Sequence, residues 1–308
     1  MAALTWAAAD IPSQAGRIAV VTGANSGIGW HTALELARAG GEVILTARTD
    51  AKGSDAVARI RKELPQCKVR YGLLDLASLR SVREFAQKIS GVPQIDLLVN
   101  NAGVMRLPTR EVTEDGFERQ MGTNFLGPFA LTMLLLPALL RSVSPRVTTV
   151  SSGAAKMGLK RIRFEDMQWE RGYAPWKAYC QSKLADLMFA VELGRRSESA
   201  GIGLLSNAAH PGFARTNLQT TGVGREMNAA ERFAASFLSQ DAAHGALPTL
   251  RAATAEKTSS GKYYAPKNLF HLKGDPIEAQ VPKAAVDAAA ARKLWTVAEE
   301  LTGTAWPD

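Results

Sequence analysis

Cysteine is nearly missing: Cys67 and Cys180 are the only two in 308 residues, and they lie far apart. That excludes a disulfide scaffold and a thiolate zinc cluster. Histidine is almost as sparse. His31, His210, His244 and His271 are scattered along the chain, so no metal site is expected. No long apolar run is present. The longest, 131–140, has ten residues, contains Pro137, and covers half a membrane span, so it reads as a buried helix. Residues 1–10 lack the basic start and apolar core of an export signal. The expectation is a soluble, cytoplasmic chain with no membrane span.

Charge of one sign does not dominate. Lys and Arg number 37 against 29 Asp and Glu, for a formal charge of +8. The basic residues are dispersed. The densest runs, 59–62 and 156–163, lack the interleaved aromatics of a base-stacking surface, so nucleic acid is not an expected partner. Apolar residues at 46% and charged residues at 21% exclude disorder and low complexity. A chain this long can bury a core without staples.

What is present is alternation. Apolar or β-branched runs at 17–22, 42–47, 68–73, 95–100, 146–151 and 203–209 read as strands, with a seventh at 262–265. Helical patterns lie at 29–39, 51–63, 78–89, 124–140 and 179–195. Wholly apolar strands are those covered on both faces. The pattern therefore predicts an α/β fold, a doubly wound parallel sheet of about seven strands with helices on both faces. No repeat or linker interrupts it, so a single domain is expected. Two segments break the alternation. Residues 153–175, with Phe164, Trp169 and Tyr173, read equally well as surface elaboration or as a substrate cover. Residues 217–240 carry Met227, Phe233 and Phe237 at helical spacing and read as a lid.

The stretch Thr22-Gly23-Ala24-Asn25-Ser26-Gly27-Ile28-Gly29 follows the first strand and opens the first helix. Gly23 permits a tight turn, Gly27 lets backbone approach a pyrophosphate, and Gly29 lets helix pack near strand. Exposed N–H groups and the helix dipole then favour an anion. This is the signature of a Rossmann-type dinucleotide site, with Gly23, Asn25, Ser26, Gly27, Ile28 and Gly29 as its turn. Arg48 stands after the second strand, where an acid would instead bind a ribose 2′-hydroxyl. Arginine there favours a 2′-phosphate, so NADP(H) is expected over NAD(H). A solvated Arg48, or one stacked on adenine, is the alternative.

Further motifs follow in order: Asp75-Leu76, Asn100-Asn101-Ala102-Gly103, Asn124, Ser151-Ser152, Tyr179-Cys180-Gln181-Ser182-Lys183 and Pro211-Gly212. Together these resemble the short-chain dehydrogenase/reductase family over roughly residues 15–300. The 27-residue spacing from Ser152 to Tyr179 exceeds the family's usual one. With His210-Pro211-Gly212, Gly261-Lys262-Tyr263-Tyr264 and Leu294-Trp295, it resembles the retinol-dehydrogenase-like branch, to which protochlorophyllide reductases are related. Membrane-bound members carry an N-terminal anchor. Its absence at residue 1 points to a soluble, bacterial reductase. The resemblance divides the chain into a cofactor-binding and catalytic core at 14–215, a lid at 216–245, and a closing strand and helix at 246–308.

The chemistry agrees with that resemblance. Hydride transfer to a carbonyl leaves an alkoxide in need of a proton. Tyr179 is the candidate acid/base. Lys183, four residues on, shares its helix face and can favour the phenolate. The family implies that Tyr179 and Lys183 also contact the cofactor, Lys183 at the nicotinamide ribose, that Ser152 (in preference to Ser151) orients the substrate oxygen, and that Asn124 holds a water linking Lys183 to solvent. It implies Asp75 and Leu76 beside adenine, Asn101, Ala102 and Gly103 along the adenosine side, and Pro211, Gly212 and Thr216 at the nicotinamide. Cys180 reads as core, His210 as supporting structure, and Asp186 and Glu192 as surface or interface charges.

The leading expectation is an NADPH-dependent reductase, or alcohol dehydrogenase in reverse, for a bulky apolar carbonyl or alcohol. Trp176 adds to the apolar character of the site. Reduction of an activated C=C bond is the second reading, and a non-catalytic dinucleotide sensor the third. Contact of the basic 156–163 segment with an acidic carrier or a membrane surface is a fourth. The family often pairs through the helices of Asn124 and Tyr179, so a homo-oligomer stands open beside a monomer.

Overall fold

The structure, a computed structural model, describes residues 6–213, 239–268 and 271–307. Strand β1 (Ile18–Val21) is apolar and buried throughout. The Gly-rich turn carries the chain into α1 (Gly27–Arg38), which begins two residues before the expected start. The next units are β2 (Glu42–Ala47), α2 (Asp50–Glu63), β3 (Val69–Leu73), α3 (Leu79–Lys88) and β4 (Leu97–Asn100). Thr49 and Ser78 cap α2 and α3 with their hydroxyls, accepting from the N–H groups of Lys52 and Ser81. A π-helical turn at Gly122–Leu126 leads into α4 (Gly127–Leu139), then β5 (Arg146–Val150) and α5 (Pro175–Ala200). Pro175 opens α5, where its missing N–H costs nothing, and Gly201 ends it at φ +65°. After β6 (Leu205–Ala209) come α6 (Ala242–Thr254), β7 (Tyr263–Asn268), β8 (Lys273–Ala279) and α7 (Ala288–Thr302).

Among the described residues the sheet has eight strands, in the order β3-β2-β1-β4-β5-β6-β7-β8. The first seven are parallel, and β8 closes the edge antiparallel to β7. The expected seven strands are all there; the eighth is a finding. Its sequence, Lys-Gly-Asp-Pro-Ile-Glu-Ala, has neither an apolar run nor alternation. An edge strand needs neither, and it tolerates Pro276 because one side makes no ladder. Helix α6 is the second difference. It crosses the expected 245/246 boundary between lid and C-terminal part. Its Ala246, Leu250 and Ala253 pack with Ala33, Leu34 and Ala37 of α1.

Helices α4, α5 and α7 cover the other face. Phe125, Phe129, Phe189 and Trp295 interlock there at centroid separations of 5.1–6.3 Å. The apolar stretch Arg119–Leu139 is long enough to cross a membrane by length and composition, and 83% of its apolar window is buried in this core. The chain reverses its order of strand addition between β1 and β4. The crevice at their carboxyl ends is where sheets of this kind bind ligands.

Candidate active site

The Gly-rich turn lies in that crevice. Gly23 and Gly27 have φ of +61° and +57°, a region that favours glycine. Gly23 N–H donates to Thr46 Oγ1 (3.1 Å), and Ala24 N–H to the Thr46 carbonyl (3.0 Å). A Cβ on Gly29 would land on the Asn101 amide and come within 2.9 Å of the Gly23 carbonyl. Asn101 and Ala102 brace the turn from β4: their N–H groups donate to Thr22 Oγ1 (2.9 and 3.0 Å), and Asn101 Nδ2 donates to the Thr22 carbonyl (2.8 Å). Ser26 precedes α1 without a side-chain cap bond, so the first N–H groups of α1 remain open to an anion. These features fit a dinucleotide pyrophosphate.

The adenosine end is less complete. Arg48 is exposed just past β2 and bonds to no described residue. Asp75 Oδ1 accepts from Ala77 N–H (3.0 Å), and its own N–H donates to Ser81 Oγ. Leu76 is buried beside α4, where its carbonyl leaves no room for a Cβ on Gly127. One cation escaped the sequence reading. Arg59 of α2 donates to the Asn25 carbonyl (2.5 Å), lies over the Trp30 ring at 5.0 Å, and pairs with Asp55. Thirty-four residues separate it from the turn, and only the packing of α2 on β2 brings it back.

Tyr179 and Lys183 project from the same face of α5 and are 4% exposed each. Lys183 Nζ donates to the Val150 carbonyl (3.0 Å) and pairs with Asp186 Oδ2 (2.7 Å). Ser152 lies within hydrogen-bonding reach of the phenol, and its hydroxyl accepts from Ala154 N–H (3.2 Å). Ser151 is turned away, donating to the Lys183 carbonyl (2.7 Å). The structure thus brings Ser152, Tyr179 and Lys183 together and leaves Ser151 in the scaffold. A Cβ on Gly103 would lie 3.6 Å from Lys183 Nζ, so β4's end meets the same point.

Asn124 occupies the π-helical turn, a distortion that often marks functional sites. Its Oδ1 accepts from Val104 N–H (2.7 Å), and its Nδ2 donates to the Val104 carbonyl and to Ser182 Oγ (both 2.9 Å). Both amide protons are spent on the strap after β4 and on α5. The side chain clamps those two elements and is not a helix cap; one lone pair of Oδ1 is left for a water. Pro211 and Gly212 form the turn after β6, with Gly212 at φ +72° and Gln240 Nε2 donating to the Pro211 carbonyl (2.8 Å). Thr216 and the lid residues Met227, Phe233 and Phe237 lie outside the described residues.

Above the phenol, the Trp176 ring stacks at 5.6 Å, and the Arg106 guanidinium lies 5.6 Å over Trp176. Met105 and Cys180 pack against Tyr179 from the side. The 153–175 insert folds down onto α5: Ile162, Met167 and Trp169 are buried, and Gln181 binds the Arg163 N–H (2.9 Å) and the Met167 carbonyl (3.1 Å). Asp186 and Glu192 are not surface charges. Asp186 is 1% exposed, and Glu192, at 2%, pairs with Arg195 (2.6 Å) and Arg196 (2.9 Å).

Burial governs the electrostatics. It pushes the Tyr179 phenol above its ordinary value, while Lys183 and Ser152 pull it down without prevailing. Burial works to strip Lys183 of its proton, but Asp186 and Tyr179 outweigh it and hold the ammonium. The Asp186 carboxyl is pushed up to about 7 by burial, against the pull of Lys183. Burial also raises the Cys180 thiol to about 11, which makes it an inert core group.

This geometry can hold a dinucleotide and move a proton beside it. Residues 17–164 match the short chain dehydrogenase family. Mouse (Mus musculus) retinol dehydrogenase 13 is 43% identical over 305 residues, spanning 96% of this chain and 87% of its own. The chain belongs to the short-chain dehydrogenase family. A crystal structure of an uncharacterised protein from Mycobacterium paratuberculosis is similar at 43% identity, with a TM-score of 0.80 over 99% of this chain and all of that one. The Pseudomonas aeruginosa RhlG/NADP active-site complex is similar at 27% identity and TM-score 0.66, covering 84% and 98% of the chains. Short-chain dehydrogenases use NAD(P), and the braced turn of this one is shaped for it.

His210 supports this short-chain dehydrogenase's site from below. It is 4% exposed, and its Nδ1 accepts from Gly212 N–H (3.3 Å). Burial, with His271 and Lys156 nearby, pushes its pKa down to about 3. The folded protein therefore leaves His210 neutral where the unfolded chain binds a proton. Stability falls as pH drops from about 6.5 toward 3. At pH 5 the His210 contribution to that loss is about 2 kcal/mol. Asp186, with a raised carboxyl, acts in the opposite sense, so the readout is a difference between proteins. Denaturant unfolding of His210→Gln is expected to lose less stability than the parent between pH 6.5 and pH 5. Parallel curves would mean that His210 is protonated in the fold.

Proposed function

We propose that the protein is an NADP(H)-dependent oxidoreductase that reduces a ketone or aldehyde of a bulky, largely apolar substrate, or oxidises the matching alcohol. The observation that carries this reading is the convergence of Ser152, Tyr179 and Lys183 beside Gly103, at the strand ends that also hold the Gly-rich turn. The nicotinamide, when bound, supplies or accepts the hydride. Ser152 holds the substrate oxygen, and Tyr179 gives it the proton that the alkoxide requires. The phenol keeps its proton at neutral pH, so it has one to give, and Lys183 and Ser152 ease its release against the effect of burial. Lys183 spends two protons on Val150 and Asp186 and keeps a third for a ribose hydroxyl. Trp176, 38% exposed over the phenol, and the half-buried Met105 support an apolar substrate. The name of retinol dehydrogenase 13, a relative over almost the whole chain, supports the same class.

The test is a titration with NADPH and NADH, read by calorimetry or by transfer from the six tryptophans, followed by a carbonyl panel. Tight binding of NADPH, weak binding of NADH and loss of NADPH absorbance with an apolar carbonyl are expected. Binding of neither dinucleotide would overturn the reading. Arg48→Ala should weaken NADPH by about 1–3 kcal/mol and leave NADH nearly unchanged, the size of a lost charge-assisted contact. Equal loss for both would show that Arg48 does not read the 2′-phosphate and would turn attention to Arg59.

A further inference from the structure

The Lys183 ammonium does not face Tyr179 alone. One turn further along α5, Asp186 holds it at 2.7 Å, and both groups are sealed from solvent. We propose that Asp186 is a positioning residue for the reaction: its carboxylate fixes the Lys183 ammonium and offsets the charge presented to Tyr179, so the pair, and not the lysine alone, sets the acidity of the phenol.

The surroundings leave Asp186 no other compensation. Its Oδ1 is buried without a hydrogen-bond partner among the described residues. The polar groups on the sheet face beneath α4 and α5 do not serve it. Asn100 and Thr149 are paired in register on β4 and β5. Asn100 Nδ2 donates to Thr132 Oγ1 (3.1 Å), and Thr149 Oγ1 has no partner among the described residues. Thr149 shares the face of Ser151, which is bonded to α5. The carboxylate charge is therefore answered by Lys183, and each charge that Asp186 carries is subtracted from what Tyr179 feels. The direction agrees: Lys183 lowers the phenol and Asp186 raises it.

Among the other titratable groups around the three, Cys180 pushes the phenol the same way as Asp186 but by less, and its thiol is uncharged at neutral pH. Cys180 lies on the same helix with its thiol pushed up to about 11. Tyr263 comes from β7 with its phenol pushed higher still by burial. Lys156, from the turn after β5, lies 5.6 Å over the Tyr263 ring, and burial lowers its ammonium. His210, at the end of β6 and beside His271, is pushed down to about 3 and stays neutral. The short turn that carries Asn124 contributes no charge of its own.

The proposal rests on Tyr179 being the acid/base, and its test separates the two ideas. Asp186→Asn keeps the shape and removes the charge. The alkaline limb of carbonyl reduction and the acidic limb of alcohol oxidation should both move down by about half a pH unit or more. Asp186→Glu should return them toward the parent. A second readout needs no turnover. Phenolate absorbance of the dinucleotide-free protein, with the matching Tyr179→Phe protein subtracted, should show an earlier midpoint in Asp186→Asn. Asp186→Ser serves the same purpose if Asn does not fold. Unmoved limbs and an unmoved midpoint would overturn the role of Asp186. Turnover retained in Tyr179→Phe would overturn the acid/base assignment instead.

Discussion

Tyr179→Phe is expected to cut turnover by about 100- to 10,000-fold, the usual contribution of a positioned proton donor. NADPH affinity should stay close to that of the parent, because the deleted hydroxyl lies beside Ser152 and, in the proposed reaction, serves the substrate oxygen. The fold should hold. The ring keeps its stack with Trp176 and its packing with Met105 and Ala154. Losing the hydroxyl's contact with Ser152 costs about 1 kcal/mol. Steady-state reduction followed through NADPH absorbance, beside a calorimetric titration, checks both halves. A variant with parental turnover would show that another group supplies the proton.

Gly29→Val should remove dinucleotide binding by about 100-fold or more and destabilise the protein by roughly 1–3 kcal/mol. The new Cβ meets the Asn101 amide and comes within 2.9 Å of the Gly23 carbonyl and 3.0 Å of Ala24 Cα. Backbone on one side and a hydrogen-bonded amide on the other cannot both yield. Either the bond from Asn101 to Thr22 breaks, or the turn opens and its N–H groups lose their common aim. Gly16→Ala is a useful control for the second effect, since open space surrounds it and only its φ of +79° opposes a side chain. Thermal unfolding and NADPH titration separate the two losses. Parental affinity in a folded Gly29→Val protein would mean that this turn does not hold the pyrophosphate.

Much of the molecule could be read without coordinates, for identifiable reasons. Several of the seven strands, β1 and β4 above all, announce themselves because a parallel strand covered on both faces is apolar along most of its length. The Gly-rich turn is legible because its constraint is local: Gly23 and Gly27 need a backbone region that other residues avoid. Tyr179 and Lys183 are legible as a pair because four residues is one turn of helix. The lid expected at 217–240 lies almost wholly outside the described residues.

Other features carried no such mark. Asp186 and Glu192 resemble the charges of any exposed helix face, and charged residues are rarely buried. Strand β8 lacks an apolar pattern because an edge has one covered side at most. Asn124 resembles a helix cap, yet its amide is drawn to Val104 and Ser182, 20 and 58 residues away.

Sequence alone therefore determined the layered α/β architecture, the anion-binding turn and the Tyr179–Lys183 pair, since each depends on residues within a strand, a turn or a helix turn of one another. Only the tertiary structure decided that Asp186 is sealed against Lys183, that Arg59 returns to the turn, and that Asn124 ties β4's strap to α5. Burial and long-range contact depend on which face of an element meets its neighbour, and that is settled when the whole sheet and its helices pack.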